Sequence, residues 1–325
     1  MMSEGSILYL ARTDVEKAGV AMPDIIRALE DMFLEKGMGR TEMPPKIGIH
    51  PRPEAFIHAM PAYIPKFASA GLKWGGGSPE NTGRGLPYIS GLIVLNDAET
   101  GIPLCIMDAS WITAKRTGAA TAVAAKHLAR AGSEVVGVLG CGVQGFSNVE
   151  ALRCLFPLRR IKAFDLLATA ASSYADRVRA ELGLAVDVVS SPEAAVRGSD
   201  IVVTAGPLLK DPNPVIENDW FDPGAFASPV DYDSYWKPAV LQNADKFCTD
   251  DVAQMRHTKT LGYFKGIPDR IIDLGDIVSG KVPGREREDE RTMSMNLGLA
   301  LDDMAVAPLV YRAAVARGLG IPLQP

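Results

Sequence analysis

The chain has 325 residues, 47% of them hydrophobic and 22% charged, with a formal net charge of −5. This composition excludes a disordered chain, and the length suits two domains better than one core. The negative charge argues against nucleic acids and anionic membranes as partners, and no apolar run is long enough to cross a bilayer.

The N-terminal region, up to about residue 131, mixes helical and strand patterns. DIIRALEDMFLEKGMG predicts an amphipathic helix, because Ile25, Leu29 and Phe33 share one face. AFIHAMPAYI predicts a strand, and YISGLIVLNDAETGIPLCIMD predicts a hairpin of two strands that turns at NDAETG. The alanine-rich ITAKRTGAATAVAAKHLAR predicts a helix that leads into the next region.

From Glu134 onwards, strand and helix patterns alternate. Strands are predicted in EVVGVLG, RIKAFDL, AVDVVS, DIVVTAG and GAFASPV, with helices between the first four. Such alternation indicates the α/β class, a parallel sheet with right-handed crossovers. Residues 231–291 are interpreted as rich in loops. NLGLALDDMAVAPLVYRAAVARG then predicts a long helix with a kink at Pro308.

A glycine pattern marks the start of this alternating region. Gly140, Gly142 and Gly145 form GxGxxG between a strand and a helix. The first glycine permits a tight turn, the second lets the backbone approach a pyrophosphate, and the third allows close packing of helix on strand. The next strand ends at Asp165, whose carboxylate can bind the ribose diol and would repel the extra phosphate of NADP. NAD(H) is therefore predicted over NADP(H), and the alternative is a tight turn without a ligand.

Cationic side chains before this region are candidates for holding a substrate. Lys73 precedes Trp74 and three glycines, which we interpret as a glycine loop that presents the lysine at a strand end. Partial burial lowers the pKa of a lysine and makes it a useful proton donor. Arg116 can clamp a carboxylate through two hydrogen bonds, although composition alone favours a surface cation there. Lys46 and Arg84 are the other candidates.

Two aspartates, Asp231 and Asp233, follow the last predicted strand, where a doubly wound fold binds its ligands. A role in forming the turn is the alternative. The four histidines and four cysteines show no metal-ligand spacing, so no metal is predicted. The separated cysteines and the lack of a signal-peptide pattern indicate a cytoplasmic protein.

Taken together, these motifs resemble the ornithine cyclodeaminase/mu-crystallin family along nearly the whole chain. The matching segments are MPAYI, GLKW, PENTGRGLPYISGLIVLND, GIPLCIMDASWITAKRTGAATAVAAKHLA, GVLGCGVQG and NLGLALDDMAVA. The KRTGAAT segment and the GxGxQ form of the glycine turn, in this order, are far more specific than GxGxxG alone.

The resemblance implies two domains and a homodimer. A doubly wound Rossmann domain that binds NAD(P) is expected at residues 132–296. It is inserted into an α+β domain for substrate binding and dimerisation, formed by residues 1–131 and 297–325.

The resemblance also implies roles for individual residues. Lys73 and Arg116 are expected to hold the carboxylate of a small amino or imino acid, and an aspartate after the fifth strand is expected to handle its amino group. Ungapped counting places this aspartate at Asp233, and a short gap would place it at Asp231. The residues expected to contact the cofactor are Arg116, Thr117, Gly140, Gly142, Val143, Gln144, Gly145, Asp165, Thr204, Ala205, Gly206 and Asn296.

Two expected substrate-binding residues depart from the family pattern. Lys46 stands where a third carboxylate-binding arginine is common, so it keeps the charge but loses the bidentate fork. His58 stands where ornithine cyclodeaminases resemble one another in a glutamate, which is thought to place a water or the distal amine of the substrate. The second departure weakens a cyclodeaminase interpretation.

The leading hypothesis is an NAD(H)-dependent oxidoreductase acting on the C–N bond of a small α-amino or α-imino acid. Its catalytic residues are expected to be Lys73 and Asp233, or Asp231 in place of the latter. One alternative is a cyclodeaminase, which uses NAD catalytically and releases ammonia. Another is a non-catalytic binding protein of the mu-crystallin kind.

Overall fold

The computed structural model describes residues 6–52 and 55–324. The first elements are β1 (Ile7–Leu10), α1 (Arg12–Lys17), α2 (Met22–Gly37), β2 (Ile47–Arg52), β3 (Ala55–Ile64), β4 (Ser69–Gly77), β5 (Ile89–Asp97), β6 (Pro103–Asp108) and α3 (Ser110–Leu128). They are followed by β7 (Val135–Leu139), α4 (Val143–Arg153), β8 (Arg160–Phe164), α5 (Ala168–Leu182), β9 (Ala185–Val188), α6 (Pro192–Val196), β10 (Ile201–Thr204) and β11 (Phe226–Pro229). The last are α7 (Pro238–Gln242), β12 (Lys246–Thr249), α8 (Val252–Thr260), β13 (Ile272–Asp273), α9 (Leu274–Val278), β14 (Thr292–Ser294), α10 (Ala300–Ala316) and β15 (Ile321–Leu323).

The chain divides into two compact units. The terminal unit contains the residues up to Arg116 together with those from Leu299 onwards, and the central unit is Thr117–Gly298. The first boundary between the two units lies within α3, after Arg116, whereas the domain boundary expected from the sequence lies after residue 131. The later part of α3 packs inside the central unit, where a Cβ on Gly118 would lie 2.2 Å from the Ser147 carbonyl oxygen.

The central unit is built on an eight-stranded sheet in the order β13-β12-β14-β11-β10-β7-β8-β9. All neighbouring strands in it are parallel. The run from β9 to β14 has the order of a doubly wound dinucleotide-binding sheet, in which ligands bind beyond the carboxyl ends of the strands. The α/β prediction and each of its five strands are confirmed.

More than half of residues 231–291 lie in turns and irregular segments, as the interpretation of a loop-rich stretch expected, but short regular elements that the sequence did not indicate lie among them. That stretch holds α7, β12, α8, β13 and α9, and β12 lies between β13 and β14 in the sheet. The strands β12 and β14 have four and three residues, all buried. Strands this short and buried on both faces show no alternation of apolar and polar residues, so their pattern carries little signal.

The terminal unit is built on a seven-stranded sheet in the order β15-β1-β6-β5-β4-β3-β2. Strands β2 to β6 are antiparallel neighbours, and β1 lies parallel to β6. Helix α10 packs on β3, β4, β5 and α2. The contact is close, because Ser69 Oγ donates a hydrogen bond of 2.7 Å to the Met304 carbonyl and a Cβ on Gly71 would lie 2.8 Å from Met304 Sδ.

The three glycines after Trp74 form part of a strand rather than the expected loop. Gly75, Gly76 and Gly77 continue β4 and pair with both β3 and β5. A Cβ on Gly76 would lie 2.8 Å from the Phe56 carbonyl oxygen, so a side chain there would push the strands apart. Lys73 therefore lies in the middle of β4 and not at a strand end.

One face of the terminal sheet carries exposed apolar side chains. Ile47 and Ile49 of β2, Trp74 of β4 and Leu92 of β5 lie on the same face by their pairing register. They are 67%, 57%, 47% and 41% exposed, respectively. The opposite face, which contains Lys73, is buried beneath α10.

Candidate active site

The turn between β7 and α4 leaves no room for side chains at two of its glycines. Gly140 has φ +97°, and a Cβ there would lie 2.5 Å from the Ala205 carbonyl oxygen. A Cβ on Gly145 would lie 2.4 Å from the Gly140 carbonyl oxygen. A Cβ on Gly142, in contrast, would meet nothing within 4 Å. The first and third glycines therefore shape the turn, and the second keeps a surface open for a ligand.

Helix α4 begins beside this open surface without a side-chain cap. Gly142 is its N-cap residue, and Val143, the first helical residue, is 61% exposed. The intrahelical hydrogen bonds start with the Phe146 amide, which donates to the Gly142 carbonyl at 3.1 Å. The earlier N–H groups of a helix point outwards and attract anions. This backbone fits a pyrophosphate.

Asp165 follows β8 and is held next to the glycine turn. Its Oδ2 accepts from the Cys141 amide at 2.8 Å, and its Oδ1 accepts from the Leu167 amide at 2.9 Å. Each carboxylate oxygen has a second acceptor position, which ribose hydroxyls can use. Burial raises the pKa of the Cys141 thiol to about 12, so this thiol stays protonated at physiological pH. Leu166 is 84% exposed, and no cation follows the carboxylate directly.

Asp231 is engaged within the protein through both carboxylate oxygens. Its Oδ1 accepts from Thr204 Oγ1 at 2.5 Å, and its Oδ2 accepts from the Gly206 amide at 2.7 Å. Trp236 Nε1 donates to the same Thr204 oxygen at 3.0 Å. Burial raises the pKa of Asp231 to about 7. The arrangement fixes the backbone after β10, where Thr204, Ala205 and Gly206 are expected to contact the cofactor.

Asp233 differs from Asp231 in having an unused acceptor. Its residue is 6% exposed, and among the described residues its Oδ1 has no hydrogen-bond partner. Burial raises the pKa of this carboxyl. Tyr232, between the two aspartates, has φ +65°, and this left-handed residue lets the chain turn sharply there.

In the terminal unit, Lys73 is buried in an ion pair. The side chain leaves β4 towards α10, the residue is 5% exposed, and Nζ lies 2.6 Å from Asp303 Oδ2. Asp303 is fully buried. Burial lowers the pKa of Lys73 to about 8, and the attraction of Asp303 opposes this shift. A lysine with such a pKa can exchange a proton near neutral pH.

Arg116 joins the same ion pair. The residue is 7% exposed, which excludes the surface cation that composition favoured. Its Nη1 lies 3.3 Å from Asp302 Oδ2, and its Nε lies 3.5 Å from Asp303 Oδ1. Asp303 therefore lies between Lys73 and Arg116. We call Lys73, Arg116, Asp302 and Asp303 the ion cluster.

Asp302 and Asp303 received no role from the sequence, in which LDDMAVA is part of a predicted helix and of a segment that matches the family. Both lie in the first turn of α10, where acidic side chains are common because the helix dipole favours them. Because the helix dipole alone explains acidic residues at these positions, the sequence gives no separate indication of another role for them. A usable signal was the apolar sequence around the pair, since charged residues in a helix that is buried on all sides need partners.

His58 lies on the same side of the terminal sheet as Lys73 by its pairing register, and Lys46 directly precedes β2. The His58 ring stacks on Phe56 with centroids 4.6 Å apart, and a Cβ on Gly48 would lie 2.3 Å from its Cδ2 atom. The pKa of His58 is lowered to about 4, first by burial and then by the positive charges of Lys46, His50 and Lys73. His58 is therefore neutral at physiological pH, in cationic surroundings.

The other predicted residues are placed as follows. Arg84 is exposed and pairs with Glu80 at 3.0 Å, outside the ion cluster. Thr117 follows Arg116 in α3 as the first residue of the central unit. Gln144 lies in the first turn of α4, and Asn296 accepts a hydrogen bond of 2.8 Å from Ser294 Oγ.

Two features are absent from residues 6–52 and 55–324, a metal-binding cluster and a membrane-spanning helix. No group of three or more histidine, cysteine, aspartate or glutamate side chains there is arranged to hold a metal ion. No helix in the same residues is long and apolar enough to cross a membrane.

Comparisons with known proteins agree with the resemblance seen in the sequence. The model of the ornithine cyclodeaminase/mu-crystallin family matches residues 7–318. Alanine dehydrogenase of Archaeoglobus fulgidus is 34% identical over 322 residues, which are 96% of this chain and 97% of the relative.

Solved structures extend the likeness to the whole fold. Thermococcus litoralis Delta(1)-pyrroline-2-carboxylate reductase, in complex with NADH and L-proline, has a TM-score of 0.88 at 30% identity, over 98% of this chain and 100% of that one. An archaeal alanine dehydrogenase dimer with bound NAD has a TM-score of 0.87 at 32% identity, over 98% of this chain and 99% of that one. The chain belongs to the ornithine cyclodeaminase/mu-crystallin family.

Proposed function

We propose that this protein is an NAD(H)-dependent oxidoreductase that interconverts a small α-imino acid and the corresponding α-amino acid. The observation that carries the proposal is the burial of two cations, Lys73 and Arg116, in the ion cluster. Charged side chains are seldom buried without a function or a partner. The glycine turn and Asp165 of the central unit supply the residues that would hold the cofactor.

Each residue has a distinct role in this proposal. Arg116 binds the substrate carboxylate, with Lys46 as a second cation, and so orients the α-carbon. Lys73 donates a proton to the imine nitrogen during reduction and accepts one during oxidation. When bound, NADH would supply the hydride and its electron pair that the imine carbon needs for reduction, and would be oxidised to NAD.

Asp233, rather than Asp231, is the aspartate proposed to interact with the substrate nitrogen. The reason is that Oδ1 of Asp233 accepts no hydrogen bond from the described residues, whereas both oxygens of Asp231 already accept hydrogen bonds from Thr204 and Gly206. We assign Asp231 to positioning the loop after β10.

The surroundings of His58 favour a reductase or dehydrogenase over a cyclodeaminase. A cyclodeaminase substrate carries a distal ammonium, which needs a nearby carboxylate. The charges that act on His58 include those of the lysines Lys46 and Lys73, which would repel an ammonium. The proposed substrate therefore has a side chain without a positive charge.

The experiment is a screen of the purified protein by NADH absorbance. Cyclic imino acids, and 2-oxo acids with ammonia or methylamine, are tested with NADH, and amino acids are tested with NAD. We expect stoichiometric NADH consumption with at least one imino acid. Ammonia release from ornithine or lysine without net NADH change would establish the cyclodeaminase instead. Ligand binding without turnover would favour a mu-crystallin-like binding protein.

We propose a preference for NADH over NADPH on the basis of Asp165. A 2′-phosphate would meet the Asp165 carboxylate, and the next two residues, Leu166 and Leu167, offer no positive charge to balance it.

We also propose a homodimer formed through the exposed apolar face of the terminal sheet. Side chains such as Ile47 and Trp74 lose contact with water when a second copy covers them. Replacing Trp74 by glutamate should shift the protein to monomers in analytical ultracentrifugation. The same change at the exposed Leu261 of the central unit serves as the control.

Two further assignments complete the proposal. The terminal unit corresponds to the domain for substrate binding and dimerisation, and the central unit corresponds to the cofactor domain. Among the described residues, the cysteines Cys105, Cys141, Cys154 and Cys248 are not joined in disulfides, which supports our proposal of a reducing, cytoplasmic setting.

A further inference from the structure

The amine of Lys73 projects from an apolar part of the terminal sheet. Lys73 pairs across the sheet with Met60 of β3 and Ile93 of β5, which are 5% and 0% exposed. Neither neighbour can stabilise a charge. The protonation state of Lys73 therefore depends on groups from other elements, because a buried ammonium without a partner loses its proton readily.

Four titratable or charged side chains act on Lys73 or are acted on by it. Asp303 and Asp302 come from α10, Arg116 comes from α3, and His58 comes from β3. His58 is neutral at physiological pH because its pKa is about 4. The two aspartates therefore balance Lys73 and Arg116 one for one when all four are charged.

The two aspartates make different contacts. Asp302 Oδ2 lies 3.3 Å from Arg116 Nη1 and also accepts from the Leu299 amide at 2.9 Å, which closes the first turn of α10. Asp303 contacts Lys73 at 2.6 Å and reaches Arg116 Nε only at 3.5 Å. Asp303 is thus the ion-pair partner of Lys73, and Asp302 is mainly that of Arg116.

We propose that Asp303 is the positioning residue that keeps Lys73 protonated and aimed for proton transfer, while Asp302 serves Arg116. The inference rests on the proposed function, in which Lys73 protonates the substrate nitrogen. In that step an N–H bond of the ammonium breaks, and the imine nitrogen takes the proton with its lone pair. Lys73 is left as a neutral amine beside Asp303, and it recovers a proton from water in the next cycle.

The balance between burial and charge explains why this aspartate matters. Burial is the larger influence on Lys73 and lowers its pKa, and Asp303 is the largest influence in the opposite direction. The resulting pKa of Lys73, about 8, leaves most of the lysine charged at neutral pH. Without Asp303, the pKa of Lys73 would be lower, so a larger fraction of the lysine would be a neutral amine at the same pH and could not act as an acid.

The test compares Asp303→Asn with Asp302→Asn, two isosteric changes at adjacent buried positions. The measurement is kcat and KM for imino-acid reduction between pH 5.5 and 9.5. We expect the alkaline decline of kcat to move by at least about one pH unit towards acid in Asp303→Asn, since one nearby charge shifts a pKa by that much. In Asp302→Asn we expect KM to rise and the decline to move less than in Asp303→Asn, because Asp302 acts on the pKa of Lys73 more weakly than Asp303 does.

A conservative change at the same position separates charge from structure. Asp303→Glu keeps the carboxylate, so it should return the alkaline decline towards that of the unchanged protein, even where kcat stays low. An unmoved decline in Asp303→Asn, or an equal movement in Asp302→Asn, would overturn the inference.

A measurement without substrate covers a variant that is too unstable or too slow for kinetics. The free energy of unfolding is followed against pH for the protein and for Asp303→Asn. The ordinary lysine pKa is 10.5, so between the folded value and 10.5 the unfolded chain binds more protons and stability rises with pH. This rise should begin near pH 8 in the protein and at a lower pH in the variant. Equal onsets would contradict the inference.

The two tests also distinguish failure of the inference from failure of the proposed function. If no imino acid is reduced by the protein, the proposed function fails, and the unfolding data still decide whether Asp303 keeps Lys73 charged. If reduction occurs and the alkaline decline does not depend on Asp303, the inference alone fails.

Discussion

The glycine turn after β7 and the ion cluster around Lys73 are the two regions proposed to bind ligands, and they use different chemical groups. The turn uses backbone N–H groups of α4 and the absence of side chains at Gly140, Gly142 and Gly145. The ion cluster uses four charged side chains that are almost fully buried. A backbone site depends on a shape that lets the ligand reach the N–H groups. A buried charge cluster depends on equal numbers of opposite charges, because each buried charge needs a partner.

This difference predicts different responses to mutation. A change in the glycine turn affects the approach of the cofactor and leaves the charges of the protein unchanged. Loss of one charge in the ion cluster leaves its partner buried and unpaired, which affects folding as well as chemistry.

The largest effect is expected for Lys73→Met. Turnover should fall about 10²–10⁴-fold, because the proton donor is lost. The free energy of unfolding should fall by about 3–5 kcal/mol, because Asp303 loses its closest partner. NADH fluorescence titration should give an unchanged Kd. Lys66→Met, at an exposed lysine that pairs with Asp31 at 2.9 Å, is the matched control and should change none of these. Turnover that survives in Lys73→Met would remove the lysine from the proposed mechanism.

Substitutions in the glycine turn should give the next largest effects. Gly142→Ala should raise the Kd for NADH at least about tenfold while Tm stays the same, because the new methyl group meets only the space reserved for the ligand. Gly145→Ala should weaken NADH binding and also lower Tm, because its Cβ meets the Gly140 carbonyl. Gly132→Ala, another open position of the central unit, is the control. Equal Tm changes at 142 and 145 would show that the second glycine also shapes the fold.

The smallest effect is expected for Asp165→Ser. The ratio of kcat/KM for NADH to that for NADPH should fall about tenfold, because the carboxylate no longer repels the 2′-phosphate. Asp187→Ser is the control, since Asp187 lies within the next strand, β9, and pairs with Arg160 on the surface. An unchanged ratio in Asp165→Ser would assign the selectivity to another group.

Local patterns predicted most of the fold and all of the glycine turn. The five strands from β7 to β11 and the alternation with helices were visible, because each signal lies within about ten residues. The short strands β12 and β14 were missed, because segments of three and four residues become strands only by joining an existing sheet. The strand character of Gly75 to Gly77 was missed for the same reason, since pairing with β3 and β5 overrides the low strand propensity of glycine.

The candidate site was predictable in its cations and not in its anions. Lys73 and Arg116 were singled out by motif, whereas Asp302 and Asp303 looked like ordinary first-turn acids of a helix. The choice between Asp231 and Asp233 likewise depended on the fold. The hydrogen bonds of Asp231 to Thr204 and Gly206 connect residues about 25 positions apart.

The sequence by itself determined the class of fold, the family, the glycine turn with Asp165, and the two cations of the other unit. These follow from periodicity and from motifs whose physics is local. Only the tertiary structure decided that Lys73 lies within a strand, that Asp303 is its partner, and that His58 is neutral among cations. The pKa and the balance of a buried charge depend on neighbours far away in the chain, and folding alone brings those neighbours within a few ångströms.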